Sequence, residues 1–338
     1  MRLHIGYVPL CDAAPLIAAH AFGFARAEGL DLDLSPEPSW ATLRDRLALG
    51  HLDAAQMLAP LALASGLGLS GPPADLAVPL GLNLNGNAVT VTNALWEAMA
   101  PEGDDLDAVA RALGRVARAR AETGRPLTLG TVHPFSCHTY QLRLLAERGG
   151  FDMARTRLVV VPPQHSVEAL GRGLVDGFCA GAPWNGVAVA AGLGHVAALG
   201  RDLAPGAPEK VLAVSRRRDA ATLPLVRAVA RAGLWCAEPD NRAELAHCLA
   251  RRNYLDIDAE LIGRTLAGDL TVGAAPRRVP DYIRFGAEAQ APRPDHLRWL
   301  LAQMRAAGQV SADQDLEPAA SALYRPNILA EALPGGAE

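Results

Sequence analysis

Lys210, in the stretch APEKVLAV, is the single lysine in a chain with 32 basic residues. Its ammonium is a compact point charge with three donors, and it fits sites too small for the planar fork of a guanidinium. Other residues with chemistry to offer fall where predicted strands hand over to helices. Trp40 follows Ser39 at a helix start, and Asn85, Gly86 and Asn87 stand just before an extended segment. His138 opens a helix after the turn HPFSC, Gly181 ends the strand DGFCAG, and Lys210 precedes a returning strand. A positive charge, amide and imidazole donors, open backbone N–H groups and an aromatic wall together suit a small planar anion. Each residue also has a plain structural reading. Trp40 is then a packing residue, His138 a helix-start histidine, 85–87 a turn that tolerates positive φ, Gly181 a bend and Lys210 an exposed lysine. Trp184 either packs beneath such a pocket or lines it.

Other chemistries find little footing. GLGLSG (Gly66, Gly68, Gly71) has the GxGxxG spacing, but it follows a helix-like apolar run rather than a strand, so it is weak evidence for a dinucleotide site. A Walker A loop needs Gly-Lys-Ser/Thr, and the only lysine sits between Glu209 and Val211. No GxSxG, HExxH or paired-carboxylate motif stands out. Asp104 and Asp105 read as a solvated helix start favoured by the dipole. Cys137 and His138 are adjacent on a helix, point apart, and do not form a nucleophile–base pair. The five cysteines are scattered and never form CxxC, so neither a disulfide framework nor a structural zinc site is expected.

The elements that position these residues alternate. LHIGYV, LDLDLS and LDAAQML read as strands. They are separated by the helix DAAPLIAAHAFGFARAEG, capped by Asp12, and by SWATLRDRLALG, capped by Ser39. This β-α-β-α-β order predicts parallel strands with right-handed crossovers. A second α/β run extends from a helix at about 104–121 through LTLGTV, SCHTYQLRLLAERGG, RLVVVPP and SVEALGRGL to DGFCAG, and the chain returns at KVLAVS. From about 216 the pattern is helical, and the last dozen residues, ending ALPGGAE, read as a loose tail. The prediction is an α/β protein of two lobes, 1–90 with 212–338 and an inserted 91–211. A ligand would lie in the cleft beyond the strands' carboxyl ends.

Half of the 338 residues are apolar and a fifth are charged; the net charge is −4 and the pI about 6.1. Such a chain has no basic face for direct nucleic-acid binding. The strand pattern begins at Leu3, without the charged and apolar regions of a leader, and no apolar run reaches membrane length. The expectation is a cytoplasmic protein that does not engage a membrane.

At these residues the chain resembles the nitrate and bicarbonate solute-binding family of ABC transporters, the NrtA/CmpA-like proteins. The matching stretches are SWATLRD, DAAQMLAP, GLNLNGNAVTV, CHTYQLRLL, VDGFCAGAPWN, APEKVLAV and PDNRAELAHCLARRNYLD, which together cover residues 3 to about 270. The resemblance implies the type II periplasmic-binding-protein fold, a two-lobed C-clamp. It also implies nitrate or nitrite as ligand, bound by Trp40, Asn87, His138, Gly181 and Lys210, with Asn85, Gly86, Gln56 and Trp184 behind them. Bicarbonate-binding relatives place an acid and a metal ion where Lys210 stands, so lysine favours nitrate or nitrite and no metal or other cofactor. Asn87 stands where the transport proteins carry Gln, Gln56 where many have His, and Ala182 where an acid is usual. Without an export signal the chain looks like the cytoplasmic NasS-type nitrate/nitrite sensors, which hold an ANTAR-domain antiterminator partner (NasT-type) and release it when the anion binds. The expected role is therefore control of nitrate assimilation genes. Two other readings are a solute-binding subunit of a nitrate/nitrite ABC transporter and a clamp-fold enzyme with pyridoxal phosphate on Lys210.

Overall fold

The computed structural model describes residues 1–311 and 313–334. The chain forms two compact units, Met1–Leu84 with Ala207–Gly263 and Arg284–Glu338, and Asn85–Gly206 with Arg264–Ile283. The boundaries differ from the expected 90/91 and 211/212, and the stretch Arg264–Ile283 returns to the second unit instead of staying with the first. The first shift has a local cause: Asn85 (φ 59°) and Gly86 (φ 96°) take left-handed backbone and turn the chain out of its strand.

The first unit is built on a six-stranded sheet. In chain order its strands are β1 (Arg2–Tyr7), β2 (Asp31–Pro36), β3 (Ala54–Leu58), β4 (Leu76–Asn85), β10 (Pro208–Ser215) and the two-residue β13 (Ile283–Arg284). Their spatial order is β13-β4-β10-β3-β1-β2. Strand β1 pairs in parallel with β2 and β3, as the alternating pattern requires, while the returning β10 runs antiparallel between β3 and β4. Strands β3, β4 and β10 are buried along their whole length, and the polar side chains of Gln56, Asn83, Glu209 and Lys210 are buried with them. The long first helix of the sequence pattern is broken: helix Ala14–Ala21 stops, Gly23 (φ 83°) turns the chain, and Phe24–Ala27 resumes. Ala13, not Asp12, occupies its cap position, without a side-chain bond. The expected loose tail contains helix Pro326–Ala332, held where Arg227 Nε donates to the Ala332 carbonyl at 2.9 Å. Residues 335–338 of that tail lie outside the described residues.

The second unit carries β5 (Asn87–Thr92), β6 (Thr128–Thr131), β7 (Arg157–Val160), β8 (Gly177–Gly181) and β9 (Gly194–Leu199), ordered β7-β6-β8-β5-β9. Strand β6 is parallel to β7 and β8; β5 is antiparallel to β8 and β9. The returning stretch forms the hairpin β11 (Asp269–Val272) and β12 (Ala275–Arg278). Its turn docks on β9, with the Gly273 N–H donating to the Val196 carbonyl at 2.7 Å. Among the described residues no helix is long and apolar enough to cross a membrane.

Two helices of this unit, Leu106–Glu122 and Cys137–Gly149, begin on the side-chain caps Asp105 and Ser136 and share a core with Val89, Leu129 and Cys179. They approach through glycine. A Cβ on Gly114 would stand 1.8 Å from the Gly149 carbonyl oxygen, so no side chain fits without moving backbone. Gly114→Ala should therefore destabilise by about 1–3 kcal/mol in urea unfolding, despite alanine's better helix propensity. A stabilised variant would contradict the close approach.

Candidate functional site

In the first unit three neighbouring strands bring together residues far apart in sequence. Lys210 lies within β10, not before it, opposite Leu58 of β3 and Asn83 of β4. The β10–β4 register slips on either side of Lys210, and its backbone N–H donates to Asn83 Oδ1 at 3.2 Å in place of a regular ladder bond. Such irregularities re-aim side chains. The Lys210 side chain is fully buried. Its Nζ lies 2.8 Å from Asp12 Oδ2, also contacts Glu209, and stands 5.5 Å from the centre of the Trp40 ring. Ammonium at that distance from an indole is attracted to the ring's negative face.

This changes the expectation for Lys210. It is neither an exposed lysine nor a lone cation waiting for an anion, because two buried carboxylates neutralise it. Burial alone would lower its pKa, but Asp12 and Glu209 more than reverse that, so the ammonium stays protonated. A Schiff base with pyridoxal phosphate would require the free amine and the loss of both carboxylate contacts. Two of the three ammonium donors are directed to carboxylates, leaving one for a further acceptor.

Gln56 is equally specific in its bonding. Its Oε1 accepts from the Val8 N–H at 2.9 Å, and its Nε2 donates to Asp12. Gln56 thereby fixes the Asp12 carboxylate against the loop that leaves β1. Trp40 is fully buried at the first position of helix Trp40–Ala48, behind the predicted cap Ser39, whose Oγ accepts from the Thr42 N–H at 3.1 Å. Among the described residues the buried Trp40 Nε1 has no hydrogen-bond partner. Such an orphaned donor is costly unless something accepts from it.

The second unit gathers the other predicted residues. Asn87 at the start of β5 is paired in register with Gly181 at the end of β8. The Ala182 N–H donates to the Gly86 carbonyl at 2.8 Å, which fastens the two strand ends. Asn87 Nδ2 donates to Gln141 Oε1 at 3.1 Å. Gln141 lies one turn beyond His138 on helix Cys137–Gly149, so this bond docks the buried first turn of that helix against β5. Asn87 Oδ1 and Gln141 Nε2 are buried without hydrogen-bond partners among the described residues. Asn85 has a structural role: Nδ2 donates to the Asp281 carbonyl at 3.0 Å, and Oδ1 accepts from the Gly206 N–H at 3.0 Å. Trp184 is half-buried at the start of helix Trp184–Ala190. A groove of about 590 Å³ lined by Arg216, Thr222, Arg325 and Glu331, among others, contains none of these residues.

Sequence reasoning missed Asp12, Glu209 and Gln141. Glu209 had a signal in its adjacency to the sole lysine. Asp12 had one in being the lone acid of the apolar stretch YVPLCDAAPLIAAHA.

The fold is that of the periplasmic solute-binding proteins. The crystal structure of the periplasmic nitrate-binding protein NrtA from Synechocystis PCC 6803 matches with a TM-score of 0.90, covering 98% of this chain and 88% of that one at 24% identity. The model of the NMT1-like family matches residues 1–250. The nitrate/nitrite binding protein NrtA of Synechococcus elongatus is 30% identical over 97% of this chain and 76% of its own length. The nitrate import ATP-binding protein NrtC of Synechocystis is 32% identical over 98% of this chain, which spans about half (50%) of that protein's length. The chain belongs to the NMT1-like family, among the nitrate- and bicarbonate-binding proteins of the NrtA and CmpA kind.

The buried cluster has a pH signature. Burial pushes the Asp12 carboxyl up from 3.8 to about 6, against the opposing pull of Lys210. Between about pH 4 and 6 the folded protein thus holds this proton more tightly than the unfolded chain, and stability contributed here falls as pH rises through that window. A shift of that size corresponds to about 3 kcal/mol. Asp12→Asn cannot titrate, so from pH 4 to pH 7 its stability should gain about 2 kcal/mol relative to wild type in urea unfolding. A constant difference would contradict the assignment.

Proposed function

We propose that this chain is a receptor for a small planar oxyanion, nitrate or nitrite, and that Lys210, Trp40, Asn87, His138 and Gly181 are its ligand residues. The observation that carries the reading is the buried pair of donors in the first unit: an ammonium whose contacts to Asp12 and Glu209 account for two of its three N–H groups, and an indole N–H with no partner among the described residues. Nitrate offers only acceptors, so it satisfies both. The donors and backbone of Asn87, His138 and Gly181 supply the polar contacts that the family resemblance assigns to them. The role has no need of catalysis or of a cofactor.

The relatives support first a solute-binding role in anion import, since NrtA is named for nitrate/nitrite binding and NrtC for nitrate import. A specific observation favours a second setting, the cytoplasmic sensor with an ANTAR-type antiterminator partner. A module of this kind makes up about half of NrtC, a protein named for ATP binding, while this chain has no Gly-Lys-Ser/Thr loop of its own. On this reading the module of the present chain works on the side of the membrane where ATP is, and there it senses the anion rather than capturing it. As a sensor the protein would bind the anion and its partner reciprocally, each weakening the other. Nitrate that leaves a preformed complex with the antiterminator intact would count against that setting but not against anion binding.

Calorimetry with nitrate and nitrite tests the binding itself. Lys210→Met should abolish binding. Trp40→Phe keeps an aromatic ring but loses the N–H, and should weaken binding roughly ten- to a hundredfold, the worth of a hydrogen bond to a charged group. Nitrate bound equally well by both variants would overturn the reading.

A further inference from the structure

Lys210 does not present a net positive charge. Asp12 and Glu209 are both buried and both in contact with its Nζ, so with all three groups ionised the cluster carries −1. An anion entering beside it meets a like charge where little water screens the repulsion. A proton on either carboxylate removes that conflict. The two carboxylates are held differently: Glu209 neighbours Lys210 on β10, whereas Asp12 arrives from the loop after β1 and is fixed by Gln56. The groups facing Asp12 are Lys210 and Glu209 of β10, Gln56 of β3 and the neighbouring Cys11, whose thiol burial keeps neutral.

We propose that Asp12 is a specificity-determining residue of this site: it takes one proton from solvent when the bound anion has no hydrogen, and stays ionised when the anion brings one. This rests on the anion-binding reading above. Nitrate and nitrite are acceptors only. Beside an ionised Asp12 they set acceptor against acceptor, and beside a protonated one they meet a neutral cluster and a donor. Bicarbonate carries its own O–H, which an ionised Asp12 can accept while Lys210 and Trp40 donate to the other oxygens. The same residues therefore bind both classes of anion with different proton counts. The carboxyl is suitably poised, because burial already brings its titration to about 6.

Calorimetry from pH 6 to 9, repeated in two buffers of different ionisation enthalpy, reads the proton count directly. Nitrate should bind with uptake of about one proton, its affinity falling about tenfold per pH unit above pH 7. Bicarbonate between pH 7.5 and 9 should bind with no uptake and a flat profile. In Asp12→Asn the nitrate profile should become flat, and the wild-type proton counts stand even if that variant does not fold. Nitrate binding without proton uptake, or equal uptake with both anions, would overturn the role of Asp12 while leaving anion binding intact. Binding of neither anion would overturn the receptor reading, and this inference with it.

Discussion

An ammonium taken out of water keeps its charge only when protein groups replace its hydration, and at Lys210 that replacement comes from Asp12 and Glu209. The first unit's site follows from this constraint. Breaking a buried pair by removing one member costs several kcal/mol, because the remaining charge is stranded, so the three groups act as one unit. The sheet order β10-β3-β1 is what allows residue 210 to meet residue 12. Gln56 on the middle strand then bonds both the Val8 backbone and the Asp12 carboxylate, tying the cluster to the end of the first strand. Trp40 seals it from a helix that begins on its own serine cap.

The second unit uses a different device. Its predicted ligand residues stand at strand ends and helix starts, and backbone pairing orients them more than charge does. Asn87 and Gly181 are register partners, and Gln141 links Asn87 to the helix that carries His138. Asn85 accepts a left-handed backbone and uses both ends of its amide to hold Gly206 and Asp281, bringing together the two other segments of chain that bound this unit. Asn85, expected to stand behind the ligand residues, thus serves connectivity.

Much of this was readable in the sequence. Strict alternation fixed the parallel β1, β2 and β3. Ser39 announced the helix that begins at Trp40, and a lysine kept alone among arginines marked the position with special chemistry. What escaped was non-local. A counterion 198 positions away cannot be seen by spacing, and the β-α-β pattern does not say that β10 inserts beside β3. Asp12 was read as a cap because acids favour helix starts, but the energy of pairing a buried ammonium outweighs a cap bond. The return of Arg264–Ile283 to the second unit was hidden for the same reason, since the short hairpin strands β11 and β12 gain their place from β9 and not from their own pattern.

The single lysine also permits the most direct test. Protein labelled with ¹⁵N-lysine has one side-chain ammonium resonance, that of Lys210. If the ammonium is enclosed by Asp12, Glu209 and Trp40 and receives the anion, the resonance should be protected from water exchange at neutral pH and should shift on saturation with nitrate. A rapidly exchanging signal, or a protected one that nitrate leaves unmoved, would contradict the account.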